Sequence, residues 1–297
     1  MEFIDLLING ILVLIMLGIG FSLSFRSFTN TFQRPKAFMV GLFLQIILLP
    51  VLAFTIVAFS ELPDAFKVGI VILSACPGGV TSNFLSYLLG GNPALSISLT
   101  VTNSFLAPLT IPIIVNLAIV YFLGQTADLK LGFWVTAGQI FSITIIPVTV
   151  GILLKSRWPA FAMRAERILR WLSLVLLALL FLIKFFASEN MGGAGMSTKE
   201  VIQIFPFSLL VNLGALLSGY AFAKLFQLGK SNQLTLGVEV GIQNTSLGFL
   251  IAGVLLGNED MLKPSLVYAM FTFFTAFFYA YLLRSPNAIL GRSDGSR

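Results

Sequence analysis

Nine stretches of predominantly apolar residues, at roughly 4–25, 37–59, 67–90, 94–122, 132–154, 168–187, 201–224, 233–257 and 264–283, are separated only by short polar connections. As a helix, each is long enough to cross a hydrocarbon layer of about 30 Å. Inside lipid the backbone must satisfy its own hydrogen bonds, which leaves helices or a closed barrel, and continuous apolar runs of this length are helical. The expected fold is therefore an all-α polytopic membrane protein of about nine transmembrane helices. Composition agrees, since 57% of the 297 residues are hydrophobic and 10% charged, and the mean hydropathy of +0.97 lies outside the range of soluble domains. The opening "MEFIDLLING" carries Glu2 and Asp5 in place of a basic n-region, so it is read as the start of the first span, with no cleaved signal.

An odd number of passes puts the termini on opposite sides. Arg26, Arg34 and Lys36 follow the first helix, Lys155, Arg157, Arg164, Arg167 and Arg170 the fifth, and Lys224 and Lys230 the seventh; Arg284, Arg292 and Arg297 lie in the tail. The other side holds only Lys67, Lys130, Lys199 and Lys263, and most of the acids: Glu61, Asp64, Asp128, Glu189, Glu200, Glu259 and Asp260. By the positive-inside rule the N-terminus is outside and the C-terminus cytoplasmic. The net charge of +6 is thus spent on orientation, and no nucleic-acid partner is expected. One cysteine and no histidine exclude an internal disulfide and leave no soft-ligand cluster for a transition metal. Cys76 reads as a small buried hydrophobe.

Two helices depart from plain apolarity. The third contains "SACPGGVTSNFLSYLLG" and the eighth "GVEVGIQNTSLGFLIAGVLLG". Pro77 lacks an amide donor, and Gly78 and Gly79 relax the backbone, so the third helix is expected to unwind near mid-bilayer. Gly237 and Gly241 flank Glu239 and allow the same opening in the eighth, followed by the polar run Gln243, Asn244, Thr245 and Ser246. "GGVTSNFL" and "VGIQNTSL" align loosely, and their separation makes the two copies antiparallel. Helices one to four would then repeat, inverted, as six to nine, with the fifth unpaired. Paired interruptions of this kind point to the binding site of a secondary transporter.

A charge at mid-span costs about 2.5–3.5 kcal/mol even on a lenient insertion scale. No Lys or Arg falls at the depth of Glu239, with Lys184 toward the outer end of the sixth helix, so its partner is a proton or a metal cation. Neutral oxygens surround it in the sequence: Gln45, Ser82, Asn83, Gln243, and Ser96 and Thr100, spaced i, i+4 and joined one turn on by Asn103. One carboxylate among hydroxyl, amide and carbonyl oxygens suits sodium before calcium.

"ACPGGVTSNFLSYLLGGNPALSISLT" and "GVEVGIQNTSLG" resemble the bile acid:sodium symporter family, and the resemblance runs from the first helix to the ninth, in the nine-helix layout of a bacterial-type member. It implies panel helices at roughly 4–25, 132–154 and 168–187, core helices at roughly 37–59, 67–90, 94–122, 201–224, 233–257 and 264–283, and alternating access between the two groups. It also implies two sodium sites sharing Glu239. The first uses Ser82, Asn83, Ser96 and Thr100; the second uses Gln45, Gln243 and the carbonyls of Val240 and Ile242. Two sodium ions and one carboxylate leave a positive site, which favours a small organic anion as cargo. Its contacts would be Val80, Thr81 and Asn244, with Thr272 in "YAMFTFFTAFFYA", where some relatives carry Trp, His and Asn.

The function expected is sodium-coupled symport in the inner membrane, with no organic cofactor and no obligate protein partner. Proton coupling, export, or a ligand sensor that does not transport are the alternatives; an enzyme is not expected, since a hydrolase would need a nucleophile with a base or an acid pair. The residues leave the cargo open among small carboxylates such as keto acids. Asn116 and Asn212, like Asn103, read as interhelical contacts.

Overall fold

The computed structural model describes residues 2–22, 35–124, 132–187 and 192–283. Arg26, Arg34, Asp128, Lys130, Glu189, Arg284, Arg292 and Arg297, used above to orient the chain, lie outside the described residues. Among the described residues there are helices and no strands, and the helices make nine passes. They are α1 (Glu2–Ser22), α2 (Pro35–Ala58), α3 (Asp64–Ala75), α4 (Val80–Leu88), α5 (Pro93–Leu123), α6 (Phe133–Arg157), α7 (Pro159–Phe186), α8 (Thr198–Leu225), α9 (Lys230–Gly241), α10 (Thr245–Phe249, continued by a π turn, Leu250–Leu255) and α11 (Glu259–Leu283). The third pass is α3 with α4, and the eighth is α9 with α10. The protein is an all-α polytopic membrane protein, as the apolar runs require.

Two boundaries differ by more than three residues from those read off hydropathy. The sixth pass begins at Pro159, about three turns before the apolar run, which puts Arg164, Arg167 and Arg170 on a helix rather than in a loop. Pro159 stands at a first-turn position where its missing N–H costs nothing, and helix propensity does not need an apolar side chain at every position. The ninth begins at Glu259, where Asn258 Oδ1 accepts from the Met261 amide at 3.0 Å and Pro264 is carried within the helix.

α1, α6 and α7 lie against one another, and α2, α3, α5, α8, α9 and α11 form the larger body around α4 and α10. Small residues allow the closest approaches. Gly20 of α1 faces Gly151 of α6, and Gly219 of α8 sits on the Gly237 backbone of α9, where any side chain would collide. α5 bridges to α6, and thinner contacts run from α1 to α10 and from α7 to α11.

Candidate functional site

The first interruption spans Cys76 to Gly79. α3 stops at Ala75, its end closed by the Cys76 amide on Leu73 O at 3.1 Å, and Cys76 Sγ turns back to Ile72 O at 3.3 Å in the buried core. α4 restarts at Val80. Gly79 has no side chain to cap it, and Ser82 compensates: the Gly79 amide donates to Ser82 Oγ at 3.1 Å, and the hydroxyl donates to Gly79 O at 2.9 Å. The second interruption spans Ile242 to Asn244, and Asn244 caps α10 by accepting from the Leu247 amide at 3.1 Å. The two meet where the Asn244 amide donates to Pro77 O at 2.9 Å. The helix restarts therefore pair Val80 with Thr245, three residues from the register in which "GGVTSNFL" and "VGIQNTSL" align; short sequence similarity does not count the residues a break consumes.

Beside this crossing Glu239, on the last turn of α9, is wholly buried. Ser96 Oγ donates to its Oε2 at 2.6 Å and Thr100 Oγ1 to its Oε1 at 2.5 Å, from successive turns of α5. The same two hydroxyls lie 2.8 and 3.0 Å from Asn83 Oδ1 on α4. A Cβ on Gly78 would fall on Glu239 Oε1 and within 2.8 Å of Ser82 Oγ, so the bare glycine makes the space that the carboxylate fills. Every residue of the first expected sodium set is thus gathered at one point, from α4, α5 and α9.

That point is short of hydrogens. Each hydroxyl carries one, yet Ser96 and Thr100 make four oxygen–oxygen contacts of 3.0 Å or less. Ser82 has committed its own hydrogen to Gly79 O. A half-turn of the Asn83 amide that presents Nδ2 supplies both missing hydrogens, a proton on Glu239 supplies one of them, and a cation among these oxygens takes their place. Only the last two also neutralise the buried charge, and hydroxyl, amide and carboxylate oxygens together fit a hard monovalent cation.

The second expected set is not gathered in the same way. Gln45 lies in a π turn of α2, Leu44–Leu48, a distortion often found at functional positions. Its Oε1 accepts from Asn103 Nδ2 at 2.6 Å, and no described hydrogen bond joins it to Glu239 or Gln243. Gln243 Nε2 donates to Val240 O at 2.6 Å, occupying a carbonyl expected to face the ion. Ile242 ends α9, its amide on Val238 O at 2.9 Å. Gln243 Oε1 and Asn103 Oδ1 are buried without a partner, two oxygens whose chemistry suits a cation.

Of the expected cargo contacts, Val80 and Thr81 open α4, and Asn244 is buried at the crossing with Nδ2 unpartnered. Thr272 is buried on α11, its carbonyl accepting from Thr275, and no described hydrogen bond joins it to the crossing. A cavity of about 420 Å³ lies instead between α1 and α7 on one wall and α4 and α5 on the other. Its polar lining is Asn83, Glu166 and Ser173, among apolar groups such as Ile15, Phe84 and Ile97. Sequence reasoning missed this wall, because α1 and α7 carry no motif and acquire a role only by facing Asn83.

Two interrupted helices thus cross beside a buried carboxylate in a bundle of nine passes, an arrangement of the kind that houses the binding sites of secondary transporters. Residues 10–191 match the model of the Sodium Bile acid symporter family, and the chain belongs to that family, one of transporters and not of enzymes. It is similar to "Probable sodium/metabolite cotransporter BASS1, chloroplastic" of Arabidopsis thaliana, 27% identical over 257 residues, 86% of this chain and 61% of the relative. It is also similar to "Uncharacterized sodium-dependent transporter YocS" of Bacillus subtilis (27% over 244 residues; 80% and 71%). "Sodium/bile acid cotransporter 4" of Homo sapiens is 27% identical over 252 residues, 82% of this chain and 55% of the relative. The chain spans about three fifths of the length of the plant relatives it matches, BASS1 of Arabidopsis (61%) and BASS2 of rice (58%).

Proposed function

We propose that the protein is a sodium-coupled symporter of a small organic anion, working by alternating access. One observation carries this reading: Glu239 is wholly buried, no ion pair among the described residues reaches it, and the hydroxyls of Ser96 and Thr100 converge on it beside Asn83. Sodium held by Ser82, Asn83, Ser96, Thr100 and Glu239 removes both the shortage of hydrogens and the unpaired charge. A second ion would use Gln45, Glu239, Gln243 and the carbonyls of Val240 and Ile242, after Gln45 leaves Asn103 and Gln243 leaves Val240. The names of the relatives, sodium/metabolite and sodium/bile acid cotransporters, support the class.

Asn83 joins the ion to the cargo, since its amide both touches the hydroxyl pair and lines the 420 Å³ cavity. An organic anion entering there meets the positive ion across one side chain. Val80, Thr81 and Asn244 serve it at the crossing, with Thr272 behind. α1, α6 and α7 form the panel and the other passes the core, so the cavity lies on their sliding boundary. With the N-terminus outside a plasma (inner) membrane and the C-terminus in the cytoplasm, the lining residues Tyr87, Pro93 and Glu166 lie toward the cytoplasmic ends of their helices.

The test uses the purified protein melted in sodium chloride and in potassium chloride at equal ionic strength. Sodium at 100 times its Kd stabilises by about 2.7 kcal/mol. Glu239→Gln loses this difference, and Thr100→Val, which keeps the shape and removes one oxygen, weakens it about tenfold. Equal melting in both salts by the unaltered protein rules sodium out. Proton coupling is the second reading, because a proton on Glu239 neutralises the same buried charge; uptake into vesicles driven by a pH gradient in sodium-free buffer would favour it.

A further inference from the structure

Glu239 is held from the front by Ser96 and Thr100, but something must also fix the turn of α9 that carries it. In an unbroken helix the Gly241 carbonyl would accept from the amide four residues on, that of Thr245. Here the Thr245 amide turns to Gln243 O at 3.0 Å, and Gly241 O is left facing the interior. Two side chains from behind take it. Tyr268 Oη of α11 donates to it at 2.7 Å, and Asn212 Nδ2 of α8 donates to it at 2.7 Å and to Tyr268 Oη at 3.1 Å. Both side chains are buried, at 1% and 0% exposure.

The cost of this arrangement is visible. Asn212 Oδ1 is buried with no partner, so the amide is present for what its nitrogen donates, where a leucine would pack without an orphan oxygen. Leu216, one turn on from Asn212, closes against the Cα of Gly241 and leaves no room for a Cβ. Gly241 is thereby located from two helices outside the break, and Glu239 sits two residues before it. On the opposite side the carboxylate fills the space over Gly78, so a shift of the last turn of α9 moves it off Ser96 and Thr100.

We infer that Tyr268 and Asn212 are positioning residues for the ion site: by gripping the Gly241 carbonyl they hold the broken end of α9 so that Glu239 meets the hydroxyl pair. The inference rests on Glu239 being the centre of a sodium site. It makes α8 and α11, which give that site no ligand, determinants of ion affinity.

The experiment titrates sodium itself into purified unaltered protein, Tyr268→Phe and Asn212→Leu, reading sodium-induced thermal stabilisation against potassium at constant ionic strength. Tyr268→Phe keeps the ring and removes one donor, and is expected to raise the half-saturating sodium concentration about five- to tenfold. Asn212→Leu removes the other donor and is expected to raise it at least as much. Variants that melt lower in potassium but keep the sodium midpoint of the unaltered protein reduce the pair to ordinary packing and overturn the inference. Where Asn212→Leu gives no folded protein, Tyr268→Phe decides alone. If the unaltered protein shows no sodium response, the sodium reading fails and this inference with it; a normal response with unmoved variants overturns only the grip.

Discussion

The two interruptions at the crossing look alike and are made differently. The first, Cys76 to Gly79, is written into its own residues: Pro77 withholds a donor, two glycines follow, and Ser82 closes the gap with its own hydroxyl from within α4. The second, Ile242 to Asn244, has no proline. Its freed carbonyl is taken by Asn212, 29 residues away, and by Tyr268, 27 residues away. Proline alone does not account for the contrast, since Pro108, Pro112, Pro147, Pro206 and Pro264 all lie inside continuous helices. A membrane helix is opened where several local preferences coincide, or where neighbours satisfy the groups that opening exposes.

If this contrast holds, single changes at the first break should matter less than at the second, except where a side chain would invade the ion site. Gly78→Ala is that exception and the largest expected effect. Its Cβ collides with Glu239 Oε1, and overpacking of about 1–3 kcal/mol translates to roughly a 5- to 150-fold loss of sodium affinity in the salt titration. Asn244→Ala removes the cap of α10 and is expected to cost about 1 kcal/mol in denaturant or thermal unfolding. Pro77→Ala is expected to cost less, within about 1 kcal/mol, because Gly78 and Gly79 keep the backbone loose and the carbonyl that receives the Asn244 amide remains. A greater loss for Pro77→Ala than for Asn244→Ala would break the comparison. Gly79→Ser is expected to be the mildest, at about 0.5 kcal/mol or less, since a Cβ there meets Asn244 only at 3.7 Å and serine can cap α4. Unequal outcomes for adjacent Gly78 and Gly79 would show that one glycine is kept for space and the other only for its place at the helix start.

The site was legible in the sequence to the extent that its chemistry is costly. A carboxylate in a span has few explanations, and Ser96 and Thr100, one turn apart, had to face the same way. Asn103 stood out as a further turn of that face, but not that it would hold Gln45, 58 residues away, at 2.6 Å. Asn212 was visible only as a polar residue with an interhelical role, and Tyr268 not at all, because its phenol is indistinguishable in sequence from a packing aromatic. The start of α7 escaped notice because hydropathy marks where a helix meets lipid, not where it begins.

What the sequence determined by itself follows from quantities that add along the chain: the length of each apolar run, the cost of one buried acid, and the missing donor of one proline. These established nine passes, the third and eighth as exceptional, and Glu239 as the centre. Tertiary structure alone decided which carbonyl Tyr268 and Asn212 hold, which amide reaches Pro77, and which wall of α1 and α7 faces Asn83. Those outcomes depend on where helices cross and how closely glycines let them approach, and that geometry is set by all the passes packing at once.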